Sequence, residues 1–453
     1  MYNNKMKRKK DFTTDFKWGA ATSSFQIEGS IDADGKLESI WDRFSQNPDK
    51  IRGSDHAKVA CDHYNRWETD FDLLEELGVN SYRFSVSWPR VIKGNLKDIN
   101  YKGLDFYDKM IDGLLCRGIE PFLTLNHWDI PQAFHERGGW LKRDASQFFL
   151  DYAEIVSNKF GDRVKNWITH NEPWVIAHLG YNEGKHAPGH KSLYETLKVS
   201  HHLLLSHGQS VPIIKANSND SKVGITLNLT PAYPASSSEA DKRSAELFDQ
   251  FFNTWYLNPL YGKAYPKEII ESWKDEGELI GDLDFIKDGD LDIISVPTDF
   301  LGVNYYSRAI NRCSITDEDK NLPVEIIAGE KTKFDWEVFP EGLKDLLLRI
   351  KRDYSPSSIF ITENGASYDY DIEGIDHIDD VKRVQYIQSH IDACRQAINE
   401  GVPLDGYFCW SLLDNFEWAE GYYHKFGLIH VDNKTQKRIP KNSYKWYKEF
   451  LSS

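Results

Sequence analysis

An α/β fold of the (β/α)8 type, a single TIM-barrel domain with loop insertions at the C-terminal face of its strands, is what this sequence predicts. Two observations carry that reading. Eight apolar, β-rich runs recur along the 453 residues, with intervals between them long enough for a helix. Several runs are apolar on both faces, as Phe122-Leu123-Thr124-Leu125 and Ile359-Phe360-Ile361 show, and that is the pattern of parallel strands covered by helices. Length alone points to about three domains, but α/β barrels with insertions routinely exceed about 400 residues as one unit. No low-complexity linker or internal repeat beyond the β/α alternation divides the chain.

The expected strands run, in order, from Phe16 to Thr22, Ser81 to Trp88, Glu120 to Trp128, Asn166 to Glu172, Lys222 to Leu229, Phe300 to Ser307, Ser358 to Glu363 and Gly406 to Leu413. Helix-period segments lie between them: Glu68 to Leu77, Gly103 to Cys116, Ala145 to Phe160, Ser192 to Ala216, Ala240 to Tyr256, Gly342 to Tyr354 and Val381 to Glu400. Two charged or irregular stretches, Lys267 to Thr298 and Thr316 to Phe334, read as excursions on the loop side of the barrel. Residues 1–10 read as a disordered basic tail and residues 11–453 as the domain. The rival fold is a doubly wound open sheet, but no Gly-rich phosphate or dinucleotide loop supports a nucleotide-binding version.

Composition narrows the partners. A net charge of -15 repels phosphate backbones, and no basic block beyond the short tail offsets it, so no nucleic-acid partner is expected. A mean hydropathy of -0.57 and the lack of any 18-residue apolar run give no membrane partner. The basic start has no apolar stretch behind it, unlike a secretory signal, and five scattered cysteines do not form a disulfide framework. A cytoplasmic location is the expectation. The 14 Trp and 23 Tyr supply flat faces suited to sugar rings, although most such residues in any chain are packing residues.

Two segments carry the chemistry. Thr169-His170-Asn171-Glu172-Pro173 and Ile361-Thr362-Glu363-Asn364-Gly365 each end a strand-like run with a glutamate where the strand opens into a loop. A pair of carboxyls so placed can cleave a glycosidic bond, one protonating the departing oxygen while the other attacks or supports the sugar carbon. Metal catalysis lacks support: no His-Glu-x-x-His or Cys-x-x-Cys pair occurs, His201, His202 and His207 are not at i, i+4 spacing, and the acidic patches at 32–35 and 288–292 lack calcium-loop spacing. No cofactor is expected.

Other strand ends are crowded with polar and aromatic residues: Trp18 to Gly29, Tyr82-Arg83-Phe84-Ser85, Asn126-His127-Trp128, Asn304-Tyr305-Tyr306 and Trp410 to Trp418. Together with the two glutamate segments, and in this order from Phe16 to Phe450, they make the chain resemble glycoside hydrolase family 1, the β-glucosidase family. The resemblance implies that Glu363 is the nucleophile and Glu172 the acid/base of a retaining double displacement. It implies that Gln26, His127, Asn171 and Glu417, with Trp128, Asn304 and Trp418, bind the sugar in the innermost subsite. By the same matching, Arg83 and Tyr306 support the nucleophile, Trp410 is the floor under the sugar ring, and Trp336 and Phe426, with Trp174, line the aglycone side.

Within that family the phosphosugar branch typically has serine at the place of Glu417, and the acidic Glu417 and Glu420 oppose a phosphate. The thioglucosidase branch generally has glutamine in place of Glu172. The expected substrate is therefore a neutral β-glucoside such as an aryl or alkyl glucoside or a cello-oligosaccharide, with side activity on β-galactosides or β-fucosides; a 6-phospho-β-glucosidase and a non-catalytic sugar-binding barrel are the alternatives. A homo-oligomer is compatible with the sequence.

Overall fold

The computed structural model describes residues 9–94, 98–313, 329–371 and 377–453. Eight parallel strands close a barrel in sequence order: β1 (Lys17–Ala21), β2 (Ser81–Ser85), β3 (Glu120–Asn126), β4 (Asn166–Asn171), β5 (Lys222–Asn228), β6 (Phe300–Asn304), β7 (Ile359–Asn364) and β8 (Leu404–Trp410). β8 closes the ring on β1, with Lys17 opposite Gly406 and Ala21 opposite Trp410. The main helices are α1 (His63–Leu77), α2 (Tyr101–Cys116), α3 (Ala145–Phe160), α4 (Leu193–Asn217), α5 (Glu239–Asp249), α6 (Pro340–Tyr354), α7 (Val381–Asn399) and α8 (Asn442–Leu451). The predicted (β/α)8 architecture is the one observed.

Every expected strand is present, but most end a few residues earlier than their apolar runs. The chain leaves the sheet into a short helix at Trp88–Val91, and turns through left-handed backbone at Trp128 (φ 82°) and Glu172 (φ 50°). These departures create the mouth of the barrel.

The barrel interior is filled by a register of glycine against phenylalanine. Gly19 pairs with Phe408, Gly224 with Phe300 and Gly406 with Phe360 on neighbouring strands. A Cβ at these glycines would lie 2.3, 2.6 and 2.6 Å from the ring of the paired phenylalanine. A glycine that weakens an isolated strand thus makes room for a ring whose burial contributes about 2 kcal/mol. With Phe122, Ala21 and Ile168 these rings form a column capped by Trp410 and Phe426.

Two helical expectations change. The segment expected as one helix from Ala240 to Tyr256 is α5, then a π turn over Gln250–Thr254, then a helix over Trp255–Leu260. The widened turn lets Asn253 donate to Asp249 and to Thr230 O while accepting from Thr230 N, so a loop after β5 is pinned to it. The stretch from Lys267 to Thr298 is less irregular than expected: Lys267–Asp275 and Asp290–Ile294 are helical, and the first buries Ile269 and Trp273. Of the other expected excursion, residues 316–328 lie outside the described residues.

Residues 1–8 of the expected tail also lie outside them. Lys9 and Lys10, placed in that tail, instead begin a 3-10 turn, and the Lys9 N–H donates to Ser453 Oγ at 3.1 Å. No helix among the described residues is long and apolar enough to cross a membrane. Cys61, Cys116, Cys394 and Cys409 are free thiols.

Candidate active site

Glu172 follows β4 and Glu363 lies on β7; both are buried. Between them stands Asn304, the last residue of β6 and the register partner of Glu363. Its amide donates to Glu172 Oε1 at 2.6 Å and to Asn171 Oδ1 at 3.1 Å, and its own oxygen accepts from Thr362 Oγ1 at 2.7 Å. Because Asn171 Oδ1 accepts from Arg83, the Asn304 atom facing it is the amide nitrogen, which fixes which way that amide points.

Arg83, fully buried on β2, donates through Nη1 to Glu363 Oε1 and through Nη2 to Asn171 Oδ1, both at 2.6 Å. Tyr306 donates to the other Glu363 oxygen at 2.6 Å. The two glutamates therefore hang on one hydrogen-bonded set, Arg83, Asn171 and Asn304, drawn from three strands. The set joins positions 191 residues apart in sequence, 363 minus 172.

The two carboxyls are treated unequally. Burial raises Glu172 well above the ordinary value, and the neighbouring charge of Glu363 raises it further; the Asn304 bond opposes only part of this. Burial also raises Glu363, but Arg83 and Tyr306 pull against it. Glu363 thus has the counter-charge and is the member that ionises first, leaving Glu172 protonated. A protonated and an ionised carboxyl in one cavity can act as acid and nucleophile.

The surrounding polar groups are fixed from behind. Since Asn171 Oδ1 accepts from Arg83 and Asn304, its amide nitrogen must be the donor to His127 Nε2, 3.0 Å away. Burial, with Arg83 nearby, holds His127 well below the ordinary imidazole range, so the ring is neutral with its proton on Nδ1, which has no protein partner. Gln26 sits on a short helix, Ser24–Ile27, after β1; its Oε1 accepts from Ser23 Oγ and its Nε2 is shared among Asn415 Oδ1, Phe416 O and Glu417 Oε2 at 2.9, 3.0 and 3.3 Å. Two N–H groups serve three acceptors, and Glu417 receives the longest contact. Burial, then Glu363, push the Glu417 carboxyl up to about 8.

Aromatic rings wall the cavity. Trp128 packs 4.4 Å from Trp418, Trp418 lies flat against Phe25, and His127 is parallel to both Trp410 and Trp418. Tyr306, Trp336 and Phe426 form a second aromatic group that packs with Trp410, with Trp336 and Tyr306 5.2 Å apart. Trp128, Glu172 and Trp418 all have positive φ, at 82°, 50° and 51°, conformations that cost a non-glycine residue of the order of 1 kcal/mol or more and persist only where the surroundings impose them.

All the expected site residues thus lie on this mouth, but three refinements emerge. Trp174 packs against His178 and Phe252, with ring centroids 4.6 and 4.2 Å away, so part of its ring surface is taken up within the protein. Glu28, near Gln26 in sequence, turns away to Arg90 and Tyr107. Phe334, not singled out by sequence, stacks between Trp336 and His424 at 4.4 and 3.7 Å; an aromatic two positions before Trp336 in an irregular segment was the only available signal.

The family model for glycosyl hydrolase family 1 matches residues 8–453. Beta-glucosidase A of Acetivibrio thermocellus is 44% identical over 98% of both chains, and the bifunctional beta-D-glucosidase/beta-D-fucosidase of Bifidobacterium breve 38% identical over 97% of this chain and 98% of its own. Among solved structures, a beta-glucosidase from Thermotoga maritima in complex with glucoimidazole superposes with a TM-score of 0.92 at 43% identity, covering 97% of this chain and 98% of that one. The chain belongs to glycosyl hydrolase family 1.

Proposed function

We propose that this protein is a retaining β-glucosidase that releases terminal β-D-glucosyl residues from cello-oligosaccharides and from aryl or alkyl β-glucosides. The observation that carries the reading is the unequal pair, Glu172 held protonated and Glu363 held by Arg83 and Tyr306, on one hydrogen-bonded set.

In this mechanism Glu172 protonates the glycosidic oxygen while Glu363 attacks the anomeric carbon; the C–O bond to the leaving group breaks as the ester to Glu363 forms. Esterification removes the negative charge that raises Glu172, so Glu172 becomes a better base and takes a proton from the incoming water. Attack of that water releases glucose with its β configuration and restores both carboxyls. The Asn171 amide N–H not used by His127, the His127 Nδ1–H, Gln26 and Glu417 bind sugar hydroxyls, with Trp410 beneath the ring and Trp128, Asn304 and Trp418 completing the subsite. Trp336 and Phe426 receive the aglycone.

A neutral glycone is supported by Glu417: with its carboxyl pushed up to about 8 it offers a sugar hydroxyl both a donor and an acceptor and gives a 6-phosphate no positive partner. Turnover of β-fucosides is supported by the relative named as a bifunctional beta-D-glucosidase/beta-D-fucosidase. The free thiols of Cys61, Cys116, Cys394 and Cys409 support work in a reducing cytoplasm.

The test is a panel of nitrophenyl β-glycosides, including a 6-phosphoglucoside, with the product anomer followed by NMR. The expected result is β-glucose as first product from the neutral glucoside, and loss of turnover in Glu363→Gln with the fold intact. Activity confined to the phosphorylated substrate, first formation of the α anomer, or near-normal turnover by the variant would each refute the reading.

A further inference from the structure

Behind the sugar-facing loop lies a buried ionic knot that the reaction does not use directly. Asp414, three residues before Glu417, turns away from the cavity. It accepts from Lys441 Nζ at 2.8 Å, from Gly427 N at 2.8 Å, from Tyr370 OH and from His430 Nδ1 at 3.3 Å. Lys441 also donates to Gly427 O at 2.7 Å, and its side chain is fully buried.

Two stretches of chain meet at this knot. On one side, Ser411 Oγ and the Asn415 amide both donate to Leu413 O, and Asn415 Oδ1 receives Gln26, so the loop from Trp410 to Glu417 is tied internally and to the Gln26 helix. On the other, Ser411 N donates to Phe426 O, Leu428 N to Ser411 O and Asp414 N to Ile429 O, so residues 426–429 run beside residues 411–414. The approach is close: a Cβ at Gly427 would lie 2.0 Å from Asp414 N. The backbone N–H of Lys441 donates to Leu428 O, which brings the start of α8 to the same point.

We propose that Lys441, acting through Asp414, is a positioning residue for sugar recognition: it fixes the ribbon that presents Glu417 on one wall of the cavity and Phe426 on the other. The inference rests on the reading of Glu417 as a hydroxyl-binding residue. Neither Lys441 nor Asp414 touches substrate. Lys441 contributes the only lysine or arginine side chain bonded to the Asp414 carboxylate among the described residues, beside His430, and a buried carboxylate that loses an ion-pair partner is strongly disfavoured. Without Lys441, Asp414 is driven to reorient or to take up a proton, and the backbone that it holds at Gly427 N moves with it. A displacement near 1 Å at a residue that reads hydroxyl groups costs up to about a hundredfold in kcat/KM.

The experiment is a double-mutant cycle on the full-length enzyme, using Lys441→Met, Glu417→Ala and their combination, assayed on nitrophenyl β-glucoside and its monodeoxy analogues. Glu417→Ala identifies the hydroxyls that Glu417 reads, as those whose removal no longer lowers kcat/KM. Lys441→Met is expected to reduce discrimination at the same hydroxyls by about tenfold or more, with no further reduction in the double variant. Tyr370→Phe, which deletes one donor to Asp414 from a partly exposed side chain, serves if Lys441→Met does not fold, and should shift the same discrimination in the same direction.

Equal losses on every analogue, or effects of Lys441→Met and Glu417→Ala that multiply independently, would reduce Lys441 to a stability residue and overturn the proposal. If Glu417→Ala changes no hydroxyl preference, the hydroxyl-binding reading of Glu417 itself falls, a result separable from the others, and the proposal falls with it.

Discussion

Removing one oxygen atom, in Tyr306→Phe, tests how the nucleophile is kept ionised. The hydroxyl donates to Glu363 Oε2 at 2.6 Å, while the ring packs against Trp336 and Phe426 at 5.2 and 6.1 Å and survives the substitution. A hydrogen bond to a charged group contributes about 1.5–3 kcal/mol, and a tenfold change in ionisation corresponds to about 1.36 kcal/mol. The lost bond stabilised the anion, so without it Glu363 ionises only at higher pH. The acid limb of the kcat/KM profile, measured with nitrophenyl β-glucoside, should move up by roughly one to two pH units. The alkaline limb, which reports loss of the proton from Glu172 beside an already ionised Glu363, should stay in place. Movement of both limbs together would indicate general loosening of the site, and an unmoved acid limb would show that Tyr306 does not govern Glu363; either result refutes the reasoning.

Two other outcomes are expected. Glu172 binds its proton more tightly folded than unfolded, so the folded state carries more protons above the ordinary value of 4.5 and its stability falls as pH rises through that value toward the folded one. Glu172→Gln abolishes this term: its melting temperature relative to the parent should be higher at pH 8 than at pH 4, whereas a gap independent of pH would contradict the assigned cause. Gly224→Ala places a methyl 2.6 Å from the Phe300 ring and should destabilise the barrel by about 1–3 kcal/mol. In denaturant titrations Gly224→Ala combined with Phe300→Leu should be more stable than the two separate losses predict; strict additivity would mean that the two side chains do not compete for the same space.

Much of the barrel was legible because its strands are apolar on both faces, a signal that needs no partner to be read. Ile359-Phe360-Ile361 announces a buried parallel strand wherever it occurs. Strand ends were less legible, because apolarity continues past the sheet: Trp128 is as hydrophobic as Leu125 but stands on left-handed backbone. The π turn at Gln250–Thr254 was hidden for another reason. It accompanies a hydrogen bond from Asn253 to a loop 23 residues away, which leaves no trace in helical periodicity.

At the site, family-like motifs located the residues, while their environments came from packing. The resemblance puts Trp174 on the aglycone entrance, yet Phe252, 78 residues later (252 minus 174), packs against its ring. Asp414 and Lys441 carry no spacing signal, since their pairing depends on how two loops after β8 fold back on each other. Phe334 became visible only through the rings it touches.

The three left-handed residues at the cavity rim have a thermal consequence. Trp128, Glu172 and Trp418 keep their φ values only while neighbouring loops hold them, whereas the phenylalanine column below depends on strand register. On gradual warming the rim should relax toward ordinary backbone angles first, so catalytic competence would disappear several degrees before the barrel melts and return on cooling from that interval.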